Sequence, residues 1–130
     1  LEKSFVVKIG DVVLKGTIDR IDPVDGGVEI IDYKTGKPKE KLDWDAKEQL
    51  LIYQIAATEV LHENPKNLAY WYLNDNTKVP VFGTEEEIVK MKKKIVETVE
   101  AMKTSDFAAT PSPMNCKNCD FKEICEYRQL

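Results

Sequence analysis

The fold is decided by two stretches, Gly16-Thr17-Ile18-Asp19-Arg20-Ile21-Asp22 and Ile30-Ile31-Asp32-Tyr33-Lys34-Thr35-Gly36. Each places an acidic residue inside an apolar, strand-like run, and the second adds a lysine two residues after its acid. A buried carboxylate is costly unless a cation pairs with it. Two such carboxylates beside a lysine predict a site that holds a divalent metal ion against a phosphate. The backbone carbonyl of Tyr33 can supply a further oxygen ligand.

The composition bounds the class of protein. The chain has 130 residues, of which 32% are charged and 42% hydrophobic, and this length suits one domain with a modest core. No apolar run approaches the roughly 20 residues of a membrane span, and no signal-peptide pattern is present, so we expect a cytoplasmic protein with no membrane partner. The net charge of −4 argues against a broad basic surface, but not against a local basic groove.

The first third of the chain predicts an antiparallel meander, with strands over residues 5–9, 12–21 and 28–33. Gly10-Asp11 and Asp25-Gly26 have the composition of two-residue hairpin turns. The Asp25-Gly26 turn sets a register in which Asp19 faces Asp32, with Cβ atoms roughly 4.5–5.5 Å apart. A cation between the two carboxylates would relieve their repulsion.

The remaining elements alternate between helix and strand. Asp43 is the predicted N-cap of a helix over residues 44–62, which Asn64-Pro65 ends. Thr84-Glu85-Glu86-Glu87 is a capping box. It begins a second helix that extends to residue 104, with Ile88, Met91, Ile95, Val99 and Met102 facing inward. Two strands lie between the helices, at 68–73 and, as an edge strand because it contains Pro80, at 79–82.

Two side chains of the first helix are candidate supports for the acidic site. Gln49 and Tyr53 are four residues apart and therefore share one helical face. An amide and a phenol there can hydrogen-bond to a phosphate or to the lysine. Alone, this pair is more often an ordinary half-buried surface pair, and an Asp-x-Lys pattern alone is more often a surface ion pair.

The three cysteines form the pattern Cys116-x2-Cys119-x5-Cys125. Thiolates at this spacing can converge on one zinc ion or iron–sulfur cluster, and an odd, clustered set favours metal ligation over disulfides. Three ligands are one fewer than the usual four. A tail with free thiols is the alternative.

In combination and order, the motifs Gly-x-Ile-Asp-Arg, Ile-Asp-Tyr-Lys, Gln-x-x-x-Tyr and Cys-x2-Cys-x5-Cys resemble the RecB-type nucleases. These belong to the PD-(D/E)xK, or restriction-endonuclease-like, superfamily. The cysteine tail is similar to the iron–sulfur branch, which includes the AddB nuclease domain and CRISPR-associated RecB-like exonucleases. The resemblance extends from Glu2 to Cys125.

The resemblance implies an α/β fold with a restriction-endonuclease-like core. A mixed sheet would open with the meander, helices would flank it, and a cysteine module would end the chain. The nuclease core would occupy residues 1–110, without the usual N-terminal helix, and the cysteine-rich tail residues 111–130. The family places a histidine metal ligand and the first cluster cysteine in that missing helix, and this chain begins at Leu1 after it. We therefore expect a piece of a longer protein.

The resemblance also implies the role of each site residue. Asp19 and Asp32 would bind Mg²⁺ or Mn²⁺, Lys34 would be the catalytic lysine, and Gln49 and Tyr53 would support it. Cys116, Cys119 and Cys125 would be three ligands of a 4Fe–4S cluster whose fourth cysteine is absent here. Ile18 stands where the superfamily's name has proline, as is common in RecB-type members.

The predicted function is metal-dependent, exonucleolytic hydrolysis of DNA, in a larger repair, recombination or CRISPR-linked protein beside a helicase. One alternative is a non-catalytic DNA-binding module of a helicase–nuclease assembly, and another is a structural zinc module. A homodimer is expected if the missing helix leaves an apolar groove exposed.

Several smaller features have predicted roles. Lys37, Lys39 and Lys41 are expected to contact DNA, whereas the lysines of the second helix are expected to be solvated. The aromatic residues Trp44, Tyr70, Trp71 and Tyr72 can stack on bases, although packing in the core is favoured for them. His62 is expected to be solvated, and Glu2 is a weak candidate ligand near the site.

Overall fold

A β-hairpin begins the fold. In the computed structural model, which describes residues 2–39 and 42–129, strands β1 (Lys3–Ile9) and β2 (Val12–Ile18) pair antiparallel. Gly10 in their turn has a φ of 59°, a backbone conformation that glycine adopts without steric cost. Alternate side chains of the hairpin, beginning with Phe5 and Val7, are buried in the core.

A second hairpin carries the acidic motifs. Strands β3 (Arg20–Val24) and β4 (Gly27–Lys34) pair antiparallel, with Val24 opposite Gly27 at the turn. The predicted Asp25-Gly26 turn and its register are therefore confirmed.

The predicted continuous strand over residues 12–21 is wrong, because the chain bends at Asp19. The bend separates β2 from β3, and these strands belong to two different sheets. The β3–β4 ladder ends at the pair of Arg20 and Ile31, so Asp19 does not pair with Asp32 in it. The Asp19 carboxylate instead accepts the N–H of Tyr33 at 3.1 Å. Aspartate side chains compete with regular pairing by bonding nearby backbone groups in this way.

Two further strands complete a four-stranded sheet. Strand β5 (Pro65–Tyr72) pairs parallel with β4, and β6 (Thr77–Pro80) pairs antiparallel with β5, so the order is β3-β4-β5-β6. A parallel pair requires a long connection, which helix α1 (Trp44–Glu59) provides. The edge position of the strand with Pro80 is confirmed. Mixed strand pairing with helices confirms the predicted α/β, restriction-endonuclease-like fold class.

Helix α1 is the central packing element. Its predicted N-cap is confirmed, since the Asp43 side chain accepts the N–H of Ala46 at 2.8 Å. Leu50, Leu51 and Ile55 are almost fully buried and belong to the same core as the strand residues. The helix ends at Glu59, three residues earlier than predicted, and His62 is exposed with a φ of 53°.

Helix α2 (Glu85–Thr104) begins with the predicted capping box. The Thr84 hydroxyl accepts the N–H of Glu87 at 3.2 Å, and the N–H of Thr84 donates to the Glu87 carboxylate at 3.0 Å. Met91 and Ile95 are buried as predicted, whereas Met102 is 54% exposed. The inward face of this helix therefore ends before its last turn.

The chain divides into two compact units, one ending at Val99 and the other beginning at Glu100. The second unit contains the short helix α3 (Pro113–Lys117), whose N-cap Ser112 accepts the N–H of Asn115 at 3.1 Å. The predicted domain boundary at residue 110 stays a prediction. Among the described residues, no helix has both the length and the apolar character of a membrane span.

Gly27 is expected to be indispensable for the start of the β4–β5 pairing. A Cβ atom there would lie 2.0 Å from the backbone oxygen of Asn64, which accepts the N–H of Val28 at 2.9 Å. We expect Gly27→Ala to lower the free energy of unfolding by about 1–3 kcal/mol, because backbone must shift. Urea unfolding measures this change.

Gly36→Ala is the matched control, because nothing lies within 4 Å of its added Cβ atom. We expect it to change the free energy of unfolding by less than about 0.5 kcal/mol. Equal stability of the two variants would contradict the observed approach of Asn64 to Gly27.

Candidate active site

The candidate site lies at the carboxyl end of β4, beneath α1. Because side chains alternate along a strand, Asp32 and Lys34 share one face and Tyr33 lies on the other. Asp32 is only 2% exposed, whereas the Lys34 side chain is 36% exposed. The site therefore combines a buried acid with a lysine that reaches the surface.

Four of the predicted residues form a closed ring of contacts. Lys34 Nζ lies 2.7 Å from Asp32 Oδ2 and donates to Gln49 Oε1 at 2.7 Å. Gln49 Nε2 donates to the Tyr53 hydroxyl at 2.9 Å, and that hydroxyl lies 3.5 Å from Asp32 Oδ1. The structure thus brings together Asp32, Lys34, Gln49 and Tyr53, which come from one strand and one helix.

Asp32 has an unsatisfied oxygen. Among the described residues, its Oδ2 is the only buried side-chain oxygen or nitrogen without a hydrogen bond. The same oxygen forms an ion pair with Lys34 Nζ at 2.7 Å. Burial raises the pKa of Asp32 and the charge of Asp19 adds to the rise, while Lys34 opposes it. Lys34 is therefore the cation that offsets the cost of burying this carboxylate.

Asp19 lies beside the same strand end, at the bend between β2 and β3. Its carboxylate is held by the N–H of Tyr33. Together with Glu2, Arg20 and Tyr33, it lines a cavity of about 470 Å³. Glu2, which the sequence indicates only as a weak candidate ligand, therefore lines the same cavity as Asp19.

The two aspartates fit a magnesium site that the substrate completes. No group of three or more His, Cys, Asp or Glu side chains within residues 2–39 and 42–129 is placed to hold a metal ion. Mg²⁺, however, is commonly bound by one or two carboxylates, with water and substrate phosphate as the other ligands. Asp19 and Asp32 would supply the carboxylate ligands of such an ion. The Tyr33 carbonyl as a ligand stays a prediction.

Tyr70 is a neighbour of Lys34 that sequence reasoning missed. It lies opposite Asp32 in the parallel β4–β5 register, and Lys34 Nζ is 5.0 Å from its ring centroid. Its hydroxyl donates to the carbonyl of Ala46 at 2.6 Å, and burial raises its pKa. The parallel pairing of β4 with β5 brings the Tyr70 ring to Lys34, and no short sequence motif predicts that pairing.

The basic loop after β4 lies beside the site. Lys34, Lys37 and Lys39 line one cavity of about 330 Å³ together with Gln49 at the start of α1. Lys41 is outside the described residues. The lysines of α2 are not simply solvated: Lys90 lies 4.2 Å above the Trp44 ring, and Lys92 and Lys94 pair with acids of α1.

The three thiols of the cysteine tail line one cavity, but they do not form a group that is placed to hold a metal ion. Cys116 is buried, Cys119 and Cys125 are half-buried, and all three line a cavity of about 350 Å³. Cys116 Sγ accepts the N–H of Gln129 at 3.3 Å. Phe121 and Ile124, the apolar residues between Cys119 and Cys125, are exposed, Ile124 by 83%.

The hairpin of β3 and β4 and the helix α1 thus carry the motifs singled out in the sequence. A sequence model of the PD-(D/E)XK nuclease superfamily matches residues 1–126 of the chain. The chain therefore belongs to the PD-(D/E)XK nuclease superfamily, whose members are nucleases that use divalent metal ions. The superfamily prediction is confirmed, and the iron–sulfur branch stays a prediction.

Two known proteins are similar to the chain. The gene 69 protein of Mycobacterium phage D29 is 26% identical over an alignment of 132 positions. The alignment covers 96% of this chain and 47% of that protein. The chain thus spans about half the length of this relative. The crystal structure of SSO0001 covers the whole chain with a TM-score of 0.54 and 20% identity, and 60% of that chain is matched. This likeness shows the fold alone.

Asp32→Asn is expected to separate metal binding from folding. The variant removes a charge whose burial raises its pKa, so we expect its melting temperature in EDTA to equal or exceed that of the wild type. Mn²⁺ at about a hundred times its Kd should stabilise the wild type by about 2.7 kcal/mol, but not the variant. Thermal unfolding with and without Mn²⁺ measures both effects.

Glu29→Gln is the matched control for Asp32→Asn. Glu29 is an acid on the other face of β4, 3.8 Å from Lys78, and its variant should keep the full response to Mn²⁺. A large loss of stability of Asp32→Asn in EDTA would contradict the cost assigned to the buried carboxylate.

Proposed function

We propose that the chain is the nuclease domain of a larger protein and hydrolyses DNA as a Mg²⁺- or Mn²⁺-dependent exonuclease. The observation that carries the proposal is the closed ring of Asp32, Lys34, Gln49 and Tyr53. Here the buried carboxylate of Asp32 pairs with Lys34 Nζ at 2.7 Å, and Gln49 holds the same lysine from its other side.

A divalent ion at Asp19 and Asp32 would neutralise phosphate charge and lower the pKa of a water molecule. Lys34 supplies a positive charge that stabilises the negative charge developing on the phosphate. Gln49 Oε1 fixes the ammonium of Lys34 at 2.7 Å. Tyr53 holds the amide of Gln49, and burial raises the pKa of this phenol, which keeps its hydroxyl protonated.

The substrate backbone would reach the site along the basic loop. The cavity of Lys34, Lys37 and Lys39 adjoins Gln49, and Lys37 and Lys39 are exposed. Lysines contact phosphates as mobile point charges. These side chains would hold the phosphates next to the one that is cleaved, despite the net charge of −4 of the whole chain.

We further propose an AddB-like or CRISPR-associated RecB-like branch for the chain, with a 4Fe–4S cluster and a helicase domain or subunit in the parent protein. Support comes from the three thiols that line one cavity. The proposed homodimer is supported by an apolar surface: Phe82 and Val89 are exposed beside a cavity of about 720 Å³ that Ile55 also lines.

Lys34→Ala is expected to slow cleavage strongly. Removal of a group that stabilises transition-state charge lowers kcat by roughly 10²–10³-fold. The measurement is cleavage of end-labelled single- and double-stranded DNA with Mn²⁺, with EDTA as the metal-free control. Lys47→Ala, which removes a lysine of α1 that pairs with Glu87 at 3.3 Å, should retain activity.

A wild-type chain that binds DNA but cuts none, with Mn²⁺ present, would overturn the nuclease proposal. The non-catalytic binding module would then be the better interpretation. Cleavage that survives in Lys34→Ala would point to a contaminating nuclease and would also count against the proposed site.

The cysteine tail is tested by anaerobic reconstitution, with iron and sulfide, of a longer chain that restores the fourth cysteine. A cluster gives a brown protein because of charge transfer from thiolate to iron, and Cys119→Ser should lose the colour. A colourless protein that binds one zinc ion per chain would contradict the iron–sulfur branch and favour a structural zinc site.

A further inference from the structure

An aromatic surface lies on the face of the sheet opposite Lys34 and Asp32. Tyr33 is opposite Trp71 in the β4–β5 register, and Lys78 of β6 is opposite Trp71 on its other side. The rings of Tyr33 and Trp71 have centroids 5.9 Å apart and are tilted by 39°. We call Tyr33, Trp71, Arg20 and Lys78 the Trp71 platform.

The platform is held in place before any ligand arrives. Trp71 Nε1 donates to Asn76 Oδ1 at 3.0 Å. An Arg20 amino group donates to the Tyr33 hydroxyl at 3.0 Å, while Arg20 Nε donates to the Asp22 carboxylate at 2.7 Å. Rings fixed in this way lose little conformational entropy on binding. The Tyr33 side of the platform is also accessible, since Tyr33 is 36% exposed.

The charges of the platform favour a base over a phosphate. The guanidinium of Arg20 lies 5.9 Å and the ammonium of Lys78 4.7 Å from the Trp71 ring centroid. Both cations face acids, Asp22 for Arg20 and Glu29 for Lys78. The net charge of this face is thus close to zero and attracts phosphate weakly, whereas aromatic and guanidinium planes stack well on nucleobases.

The platform adjoins the cavity of the candidate site. Arg20 and Tyr33 line this cavity together with Asp19 and Glu2. The backbone N–H of Tyr33 also holds the Asp19 carboxylate. A strand whose phosphate lies at Asp19 would therefore pass Arg20 and Tyr33, the two platform residues that line this cavity.

We propose that the Trp71 platform stacks one base of an unpaired DNA strand adjacent to the cleaved phosphate. This inference rests on the proposed nuclease function and adds that the DNA substrate is unpaired next to the cleaved phosphate. Bases within a duplex are stacked on each other and cannot reach the platform unless they are extruded, which costs a few kcal/mol. The enzyme would therefore prefer single strands or unpaired ends.

Tryptophan fluorescence tests the contact directly, because the chain has only two tryptophans. Trp44→Phe leaves Trp71 as the only tryptophan, and we expect oligothymidylate in EDTA to quench its emission. Trp71→Phe leaves Trp44, which also lies beneath a lysine, Lys90, but outside the platform. Its emission should not change. Unchanged Trp71 emission, or equal quenching of both tryptophans, would overturn the proposal.

Affinity provides a second readout. Trp71→Leu should weaken binding of a single-stranded oligonucleotide about tenfold, as expected for loss of one base stack, and leave duplex binding unchanged. Trp44→Leu is the control and should keep wild-type affinity. Equal affinities of the two variants for the single strand would count against the platform. If Trp71→Leu does not fold, the fluorescence test remains decisive, because the Trp44→Phe variant retains Trp71.

Cleavage assays separate this inference from the nuclease proposal. A wild-type chain that cuts DNA with Mn²⁺ while Trp71 stays unquenched would overturn the platform and leave the nuclease. Quenching of Trp71 in a chain that cuts no DNA would overturn the nuclease and support the stacking site.

Discussion

The burial of the Asp32 carboxylate beneath α1 is the constraint on which the rest of the site depends. A charge that is 2% exposed needs positive partners, and Lys34 is the one that the structure supplies. Lys34 in turn needs an acceptor, which is Gln49, and the amide of Gln49 needs Tyr53. The helix must therefore lie over the end of β4 with one face in register.

The same constraint accounts for the irregular start of the fold. A strand that continued through Asp19 would have opposed two carboxylates without a cation between them. The chain bends at Asp19 instead, and its carboxylate takes the N–H of Tyr33. This bend divides the opening strands into two sheets and opens the cavity that Asp19 shares with Arg20. The bend thus connects the candidate metal site with the aromatic face beyond it.

Local signals with a direct physical mechanism predicted the structure well. The Asp43 N-cap, the Thr84 capping box and the Asp25-Gly26 turn each satisfy nearby backbone groups, so a few residues suffice to determine them. Predictions that depended on distant chain segments were less complete. The strand over residues 12–21 was predicted as continuous, although Asp19 breaks it, and Met102 was placed inward, although it is exposed. Neither outcome follows from periodicity alone.

The sequence by itself determined which side chains share a face, because alternation in strands and spacing in helices assign residues to faces. The order of its motifs and their resemblance to a known family implied the α/β class and the superfamily. Only the tertiary structure decided that these faces meet. The parallel pairing of β4 with β5 brings Tyr70 to Lys34 on one face and Trp71 to Tyr33 on the other. Such pairing joins segments more than thirty residues apart, and no short motif encodes it, because its stability comes from burial that exists only in the assembled core.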